Sequence, residues 1–121
     1  MEVSEFTATV SGTAETVRIH CEGDLNGRAD EAMETAYTES AALGASQITL
    51  DFEQVGYINS TGIALIVRLL TSARADGRTV RAVGLTDHYR QIFEITRLSD
   101  YMEIVDGAPI GAAATTGGAG A

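Results

Sequence analysis

Apolar and polar side chains alternate at the start of the chain. Phe6, Ala8 and Val10 fall on one side of residues 3–10, and Val17, Ile19 and Cys21 alternate against Arg18 and His20. A two-residue period of this kind belongs to strands with one buried face. Ser11-Gly12-Thr13 between the two runs is a turn signal, so the pair predicts a hairpin. Gly23-Asp24-Leu25-Asn26-Gly27 then breaks the pattern, and the period changes. Over residues 28–43, Ala29, Met33, Ala36, Tyr37 and Ala41 recur at helical spacing, and Gly44 suits the helix end. Residues 47–53 alternate again, with Ile48, Leu50 and Phe52 inward. A second helix runs to Ala75, where Asp76-Gly77 stops it; its stripe is Ile63, Ile66, Val67, Leu70 and Ala73, widened by Leu65 and Leu69. A strand over 79–85 follows, then a helix over about 87–97 with Tyr89, Ile92, Phe93 and Thr96 on one side, and a short strand over 101–105.

The predicted order is β-β-α-β-α-β-α-β. Strand–helix–strand units in series imply parallel pairing with right-handed crossovers. The fold class is therefore α/β: a small mixed, largely parallel β-sheet with helices packed on it. Residues 1–106 form the expected domain. Residues 107–121 are Gly, Ala and Thr with a proline and an isoleucine and no charge, the composition of a flexible tail.

At 121 residues the chain suits one domain with one core. No apolar run approaches the roughly 18 to 20 residues needed to cross a bilayer. Met1-Glu2-Val3-Ser4-Glu5 lacks the basic-then-apolar pattern of a signal peptide. Cys21 is the lone cysteine and reads as a small buried hydrophobe. These features point to a cytoplasmic protein. The formal charge is −9 and every basic residue is Arg. Such a surplus repels nucleic acid and anionic membranes, and suits a partner with a basic face. Acid is densest from Glu22 to Glu39, where Glu22, Asp24, Asp30, Glu31, Glu34 and Glu39 face only Arg28. That run reads equally as a solvated helix face or a docking surface.

Candidate chemistry centres on Tyr57-Ile58-Asn59-Ser60-Thr61-Gly62-Ile63, small polar residues placed where a strand turns into an apolar helix. Ser60 taken alone reads as a helix N-cap. It also stands beside the free N–H groups of a helix start, where a phosphate is electrostatically welcome. His20 and His88 lie far apart without companion ligands and read as surface or hydrogen-bonded histidines, so no metal is expected. The chain has no Gly-x-Ser-x-Gly elbow at Ser60 and no P-loop, and no cofactor is expected.

In this order the elements and their motifs resemble the STAS family, and within it the stand-alone bacterial anti-sigma factor antagonists. The resemblance spans residues 10–105. It is carried by Gly23-Asp24-Leu25-Asn26, Leu50-Asp51-Phe52, Asn59-Ser60-Thr61-Gly62-Ile63-Ala64-Leu65, Gly77-Arg78 and Ile92-Phe93-Glu94-Ile95-Thr96-Arg97-Leu98. It implies a non-enzymatic partner switch: the antagonist binds an anti-sigma factor serine kinase and so frees a sigma factor. Phosphorylation ends the binding and a phosphatase restores it. Carried over, the accepting hydroxyl is Ser60, with Thr61 a minor candidate. The partner-facing residues are Asp24, Asn26, Asn59, Ser60, Thr61, Gly62 and Leu65, in a monomer or weak homodimer.

Asn26 and Asn59 stand where the family usually has Asp. Each keeps the ability to cap a helix or order a turn but has no charge. Asp24 and Asn26 also fit a purely turn-ordering role, Gly62 a close backbone approach, and Leu65 and Leu69 the core. Competing functions are a scaffold STAS subunit of a signalling assembly, a soluble partner of a membrane transporter and, with little support, a serine hydrolase.

Overall fold

The computed structural model describes residues 5–105. In chain order these form β1 (Thr7–Gly12), β2 (Thr16–Leu25), a 3-10 turn (Gly27–Ala29), α1 (Asp30–Ala42) and β3 (Gln47–Ile58). Then follow α2 (Ser60–Ala75), β4 (Thr79–Val83), α3 (Asp87–Ile95), a second 3-10 turn (Leu98–Asp100) and β5 (Glu103–Ile104). The strands form one sheet in the order β1-β2-β3-β4-β5. β1 is antiparallel to β2 and every later pairing is parallel, the mixed, largely parallel sheet expected from the sequence. The three crossovers step across the sheet in one direction. Because such connections are right-handed, α1, α2 and α3 share one face.

The alternation read from the sequence sorts the two faces. Val17, Ile19, Cys21, Ile48, Leu50, Phe52, Val80 and Ala82 are buried in one core cluster with Met33, Ala36, Ile66, Leu70 and Phe93 from the helices. Phe93 meets Phe52 edge-on, their ring centroids 5.9 Å apart, a favoured geometry for aromatic pairs. The opposite face is polar. Register aligns Thr9, His20 and Asp51 across it, and likewise Ser11, Arg18, Thr49 and Arg81.

Several boundaries differ from expectation. β1 runs through Ser11 and Gly12, so the hairpin turns over residues 13–15 instead. β2 and β3 both continue past the predicted breaks, pairing through Asp24↔Tyr57 and Leu25↔Ile58 across two irregularities in register. Gly23 is strand residue as much as punctuation: a Cβ there would lie 2.3 Å from the Glu5 carbonyl oxygen. α1 begins one 3-10 turn later than expected. β4 and α3 are each two residues shorter, and β5 keeps only two of the five predicted residues. On α2 the buried positions are Gly62, Leu65, Ile66, Leu69, Leu70 and Ala73. This 3–4 spacing places Leu65 and Leu69 inside, while Val67, expected within the stripe, is 42% exposed. Thr96 likewise faces solvent and donates its hydroxyl to the Ile92 carbonyl. Residues 3 and 4 of the first predicted strand, and the predicted tail, lie outside the described residues.

Candidate partner-docking site

The carboxyl ends of β2 and β3 lie side by side, and the loops that leave them build one surface. The Asn59 N–H donates to the Leu25 carbonyl at 3.2 Å. Gly27 lies beside the Thr61 methyl group, which a Cβ on Gly27 would meet at 3.4 Å. Asp24, Asn26, Asn59, Ser60 and Thr61, separated by up to 37 positions in sequence, thus come to one end of the sheet. The end of a parallel sheet is where loops of α/β proteins carry binding groups.

Local chemistry sets each loop. The Asn59 Oδ1 accepts from the Gly62 N–H at 2.8 Å, and its backbone is extended, as an N-cap requires. Asn26 Oδ1 accepts from the Arg28 N–H at 2.9 Å and starts the first 3-10 turn. Both asparagines are therefore caps, a role that needs an oxygen and not a charge. The cap of α2 falls to Asn59 and not to Ser60. Ser60 is the first helical residue, exposed, with its hydroxyl free of the capping duty. The N–H groups of Ser60 and Thr61 have no intrahelical acceptor, so the positive end of the helix dipole opens beside that hydroxyl.

Gly62 and Leu65 lie beneath this surface. A Cβ on Gly62 would sit 2.1 Å from the Leu25 carbonyl oxygen, so the residue works by letting the α2 backbone approach β2. Leu65 is 6% exposed and packs into the core; its place on the core stripe of α2 removes it from partner reach.

Two residues at the site were given no role there by the sequence. Tyr57 pairs with Asp24 at the strand ends and is 52% exposed, an aromatic beside the Ser60 loop. Its outward phase one position before buried Ile58 was the available signal. Tyr89 on α3 accepts at its hydroxyl from the Ile58 N–H at 3.0 Å and holds the strand end that precedes Asn59. No pattern within the chain links residues 58 and 89; only the docking of α3 does.

Two titratable groups, Asp51 and Cys21, are buried within the fold. Asp51 is buried on the polar sheet face and accepts from Arg18 Nε at 3.1 Å and from the Glu53 N–H at 2.9 Å, with His20 Nδ1 at 3.3 Å. Burial raises its pKa, but the Glu53 N–H and then the Arg18 and His20 contacts outweigh it and hold the carboxyl below its ordinary 3.8. Burial, helped by the Asp51 charge, pushes the Cys21 thiol up to about 12. His88 lies edge-on to Tyr89, and neither histidine is hydrogen-bonded to Ser60 among the described contacts.

The chain belongs to the STAS domain family: the family model described as "Mlab, STAS domain" matches residues 8–106. It is similar to the anti-sigma-B factor antagonist of Staphylococcus aureus (strain NCTC 8325 / PS 47), 28% identical over 88 residues, which cover 73% of this chain and 82% of that protein. Its fold is similar to that of the anti-sigma factor antagonist SpoIIAA in its unphosphorylated form, with TM-score 0.65 and 19% identity over 85% of this chain and 89% of the other. The phosphorylated form of the Bacillus cell fate determinant SpoIIAA aligns equally well, with TM-score 0.65 and 21% identity over 87% and 93% of the two chains. No described helix is long and apolar enough to cross a membrane.

Proposed function

We propose that this chain is a cytoplasmic, non-enzymatic anti-sigma factor antagonist whose binding is switched at Ser60. It captures an anti-sigma factor serine kinase through Asp24, Asn26, Asn59, Ser60 and Thr61, with Tyr57 at the edge, and so frees a sigma factor. Phosphate on Ser60, or to a lesser extent on Thr61, ends the capture, and a phosphatase restores it. The observation that carries this reading is the exposed Ser60 hydroxyl, released from capping by Asn59 and placed at the N-terminus of α2. The relatives that share the fold support it by the roles their names record.

A phosphoserine adds roughly −1.5 to −2 charge. At the start of α2 that charge meets the positive end of the helix dipole, so the domain itself tolerates it. Release therefore comes from repulsion or steric conflict at the partner surface. A cost of about 3 kcal/mol there lowers affinity roughly a hundredfold. The test compares Ser60→Ala, Ser60→Asp and Ser60→Glu in capture of the anti-sigma kinase recovered from native cells, with phosphate mapped by mass spectrometry. Retained capture by Ser60→Ala and loss by the acidic variants is expected. Equal capture by all of them rejects the switch.

A further inference from the structure

We infer that the outer edge of β1, with the groove between it and α1, is a second docking surface that takes an extended, basic segment of a partner as an added strand. β1 is the edge of the sheet, and no described strand lies beyond it. The Thr13 N–H donates to the Thr16 carbonyl; stepping back two residues at a time along the hairpin makes Ser11, Thr9 and Thr7 the residues bonded to β2. Ala8 and Val10 therefore turn their N–H and C=O groups outward. Edges are ordinarily blunted by charge, proline, bulges or brevity. Thr7-Ala8-Thr9-Val10-Ser11-Gly12 has six residues, no charge and no proline.

Beside this edge runs a groove of about 640 Å³, floored by Phe6 and Ala8 and walled by Glu5, Glu31 and Glu39, with Arg28 the basic residue on its rim. Glu31 and Glu39 belong to the acidic run that the sequence left undecided between solvated face and docking surface. Charge selects the occupant. A second copy pairing antiparallel along this edge would turn both α1 acid faces together, and like charges brought together repel. An incoming strand with arginine or lysine at alternate positions instead lays aliphatic stems over Phe6 and Ala8 and its charges on the carboxylates. Its other side, matching Thr7, Thr9 and Ser11, would be small and polar. Asn26 lines both this groove and the Ser60 surface, but Ser60 does not line the groove, and the proposal does not depend on the switch.

The experiment titrates the full chain with a labelled seven-residue peptide alternating arginine and threonine. The control is the same peptide N-methylated at every residue, which keeps the charge and loses the strand-pairing donors. Expected results are saturable binding by the first peptide, slowed hydrogen exchange at Ala8 and Val10, and at least tenfold weaker binding both for the control and for the Glu31→Gln/Glu39→Gln variant. Ser60→Asp should leave peptide affinity unchanged. Equal binding by the N-methylated peptide, or no binding of either, overturns the proposal. So does loss of binding in Ser60→Asp, which would place the peptide on the switch surface. Protection of Ala8 and Val10 in the free chain overturns it as well, assigning the edge to a second copy if it grows with protein concentration and to the chain's own residues if it does not.

Discussion

Replacing Gly62 with alanine tests the link between the Ser60 loop and the sheet. The added Cβ would lie 2.1 Å from the Leu25 carbonyl oxygen and 2.8 Å from its carbon. An ordinary C···O contact is about 3.3 Å or longer, so α2 and the end of β2 must part by roughly 1 Å. The neighbour is backbone at the end of a paired strand and cannot rotate away. Overpacking of this kind costs about 1–3 kcal/mol. The movement also strains the Asn59 cap, worth about 1 kcal/mol, and the Asn59-to-Leu25 hydrogen bond, worth about 1 kcal/mol. Alanine recovers up to about 1 kcal/mol of helix propensity. The net expectation is a loss of about 2–4 kcal/mol, or a fall in Tm of about 10–20 °C for a domain of this size. Urea and thermal unfolding of Gly62→Ala measure it, with Gly56→Ala as control, since nothing lies within 4 Å of a Cβ at Gly56. If Gly62→Ala unfolds at the wild-type midpoint, the close approach of α2 to β2 is not what fixes the loop.

Three further expectations come from side chains around the core and the site. Asn59→Ala should lose about 1 kcal/mol of stability through the cap, whereas Asn59→Asp keeps the cap and gains about 0.5 kcal/mol from a charge at the helix N-terminus; urea midpoints at low and high salt separate the two effects. Asp51→Asn should destabilise by about 2 kcal/mol, because the buried carboxylate accepts from Arg18 and the Glu53 N–H. Since the folded-state pKa of Asp51 lies below 3.8, its contribution is whole above that pH and is lost as pH falls through the folded value. The stability gap between wild type and Asp51→Asn should therefore close only in strong acid, and a gap unchanged down to pH 2 would refute the assignment. With its pKa at about 12 and no exposure, the Cys21 thiol should react with a disulfide reagent at pH 8 only as fast as the domain opens, and added urea should accelerate the labelling.

The strand–helix periods were legible because each element buries one face, and alternation or 3–4 spacing records that face directly. β1, β2, α1 and α2 were found this way, and α2 ends at Ala75 as its Asp76-Gly77 stop signal indicated. The errors are equally physical. Gly23 read as a break and β3 was expected to stop at residue 53, but both strands continue through shifts in register, because neighbours on either side supply the hydrogen bonds. Val67 read as core because hydrophobicity marks what can be buried. Which 100° of α2 is buried was fixed by contact with α1 and the sheet, and Leu65 and Leu69 took that place.

The candidate site divides in the same way. The local pattern Asn59-Ser60-Thr61-Gly62 placed a hydroxyl at a helix start, since cap, small residue and apolar run are neighbours in the chain. That Asn59 and not Ser60 holds the cap is settled by a bond only three residues long, but that Gly62 serves Leu25 and that Tyr89 steadies Ile58 depend on residues far apart in sequence. Sequence by itself determined the element types, the parallel topology and the identity of the exposed serine, all consequences of short-range periodicity and turn chemistry. Tertiary structure alone decided which loops share a surface, which apolar residues of α2 are buried and which strand edge stays open. Those outcomes are set by long-range packing and register, which no local window of residues contains.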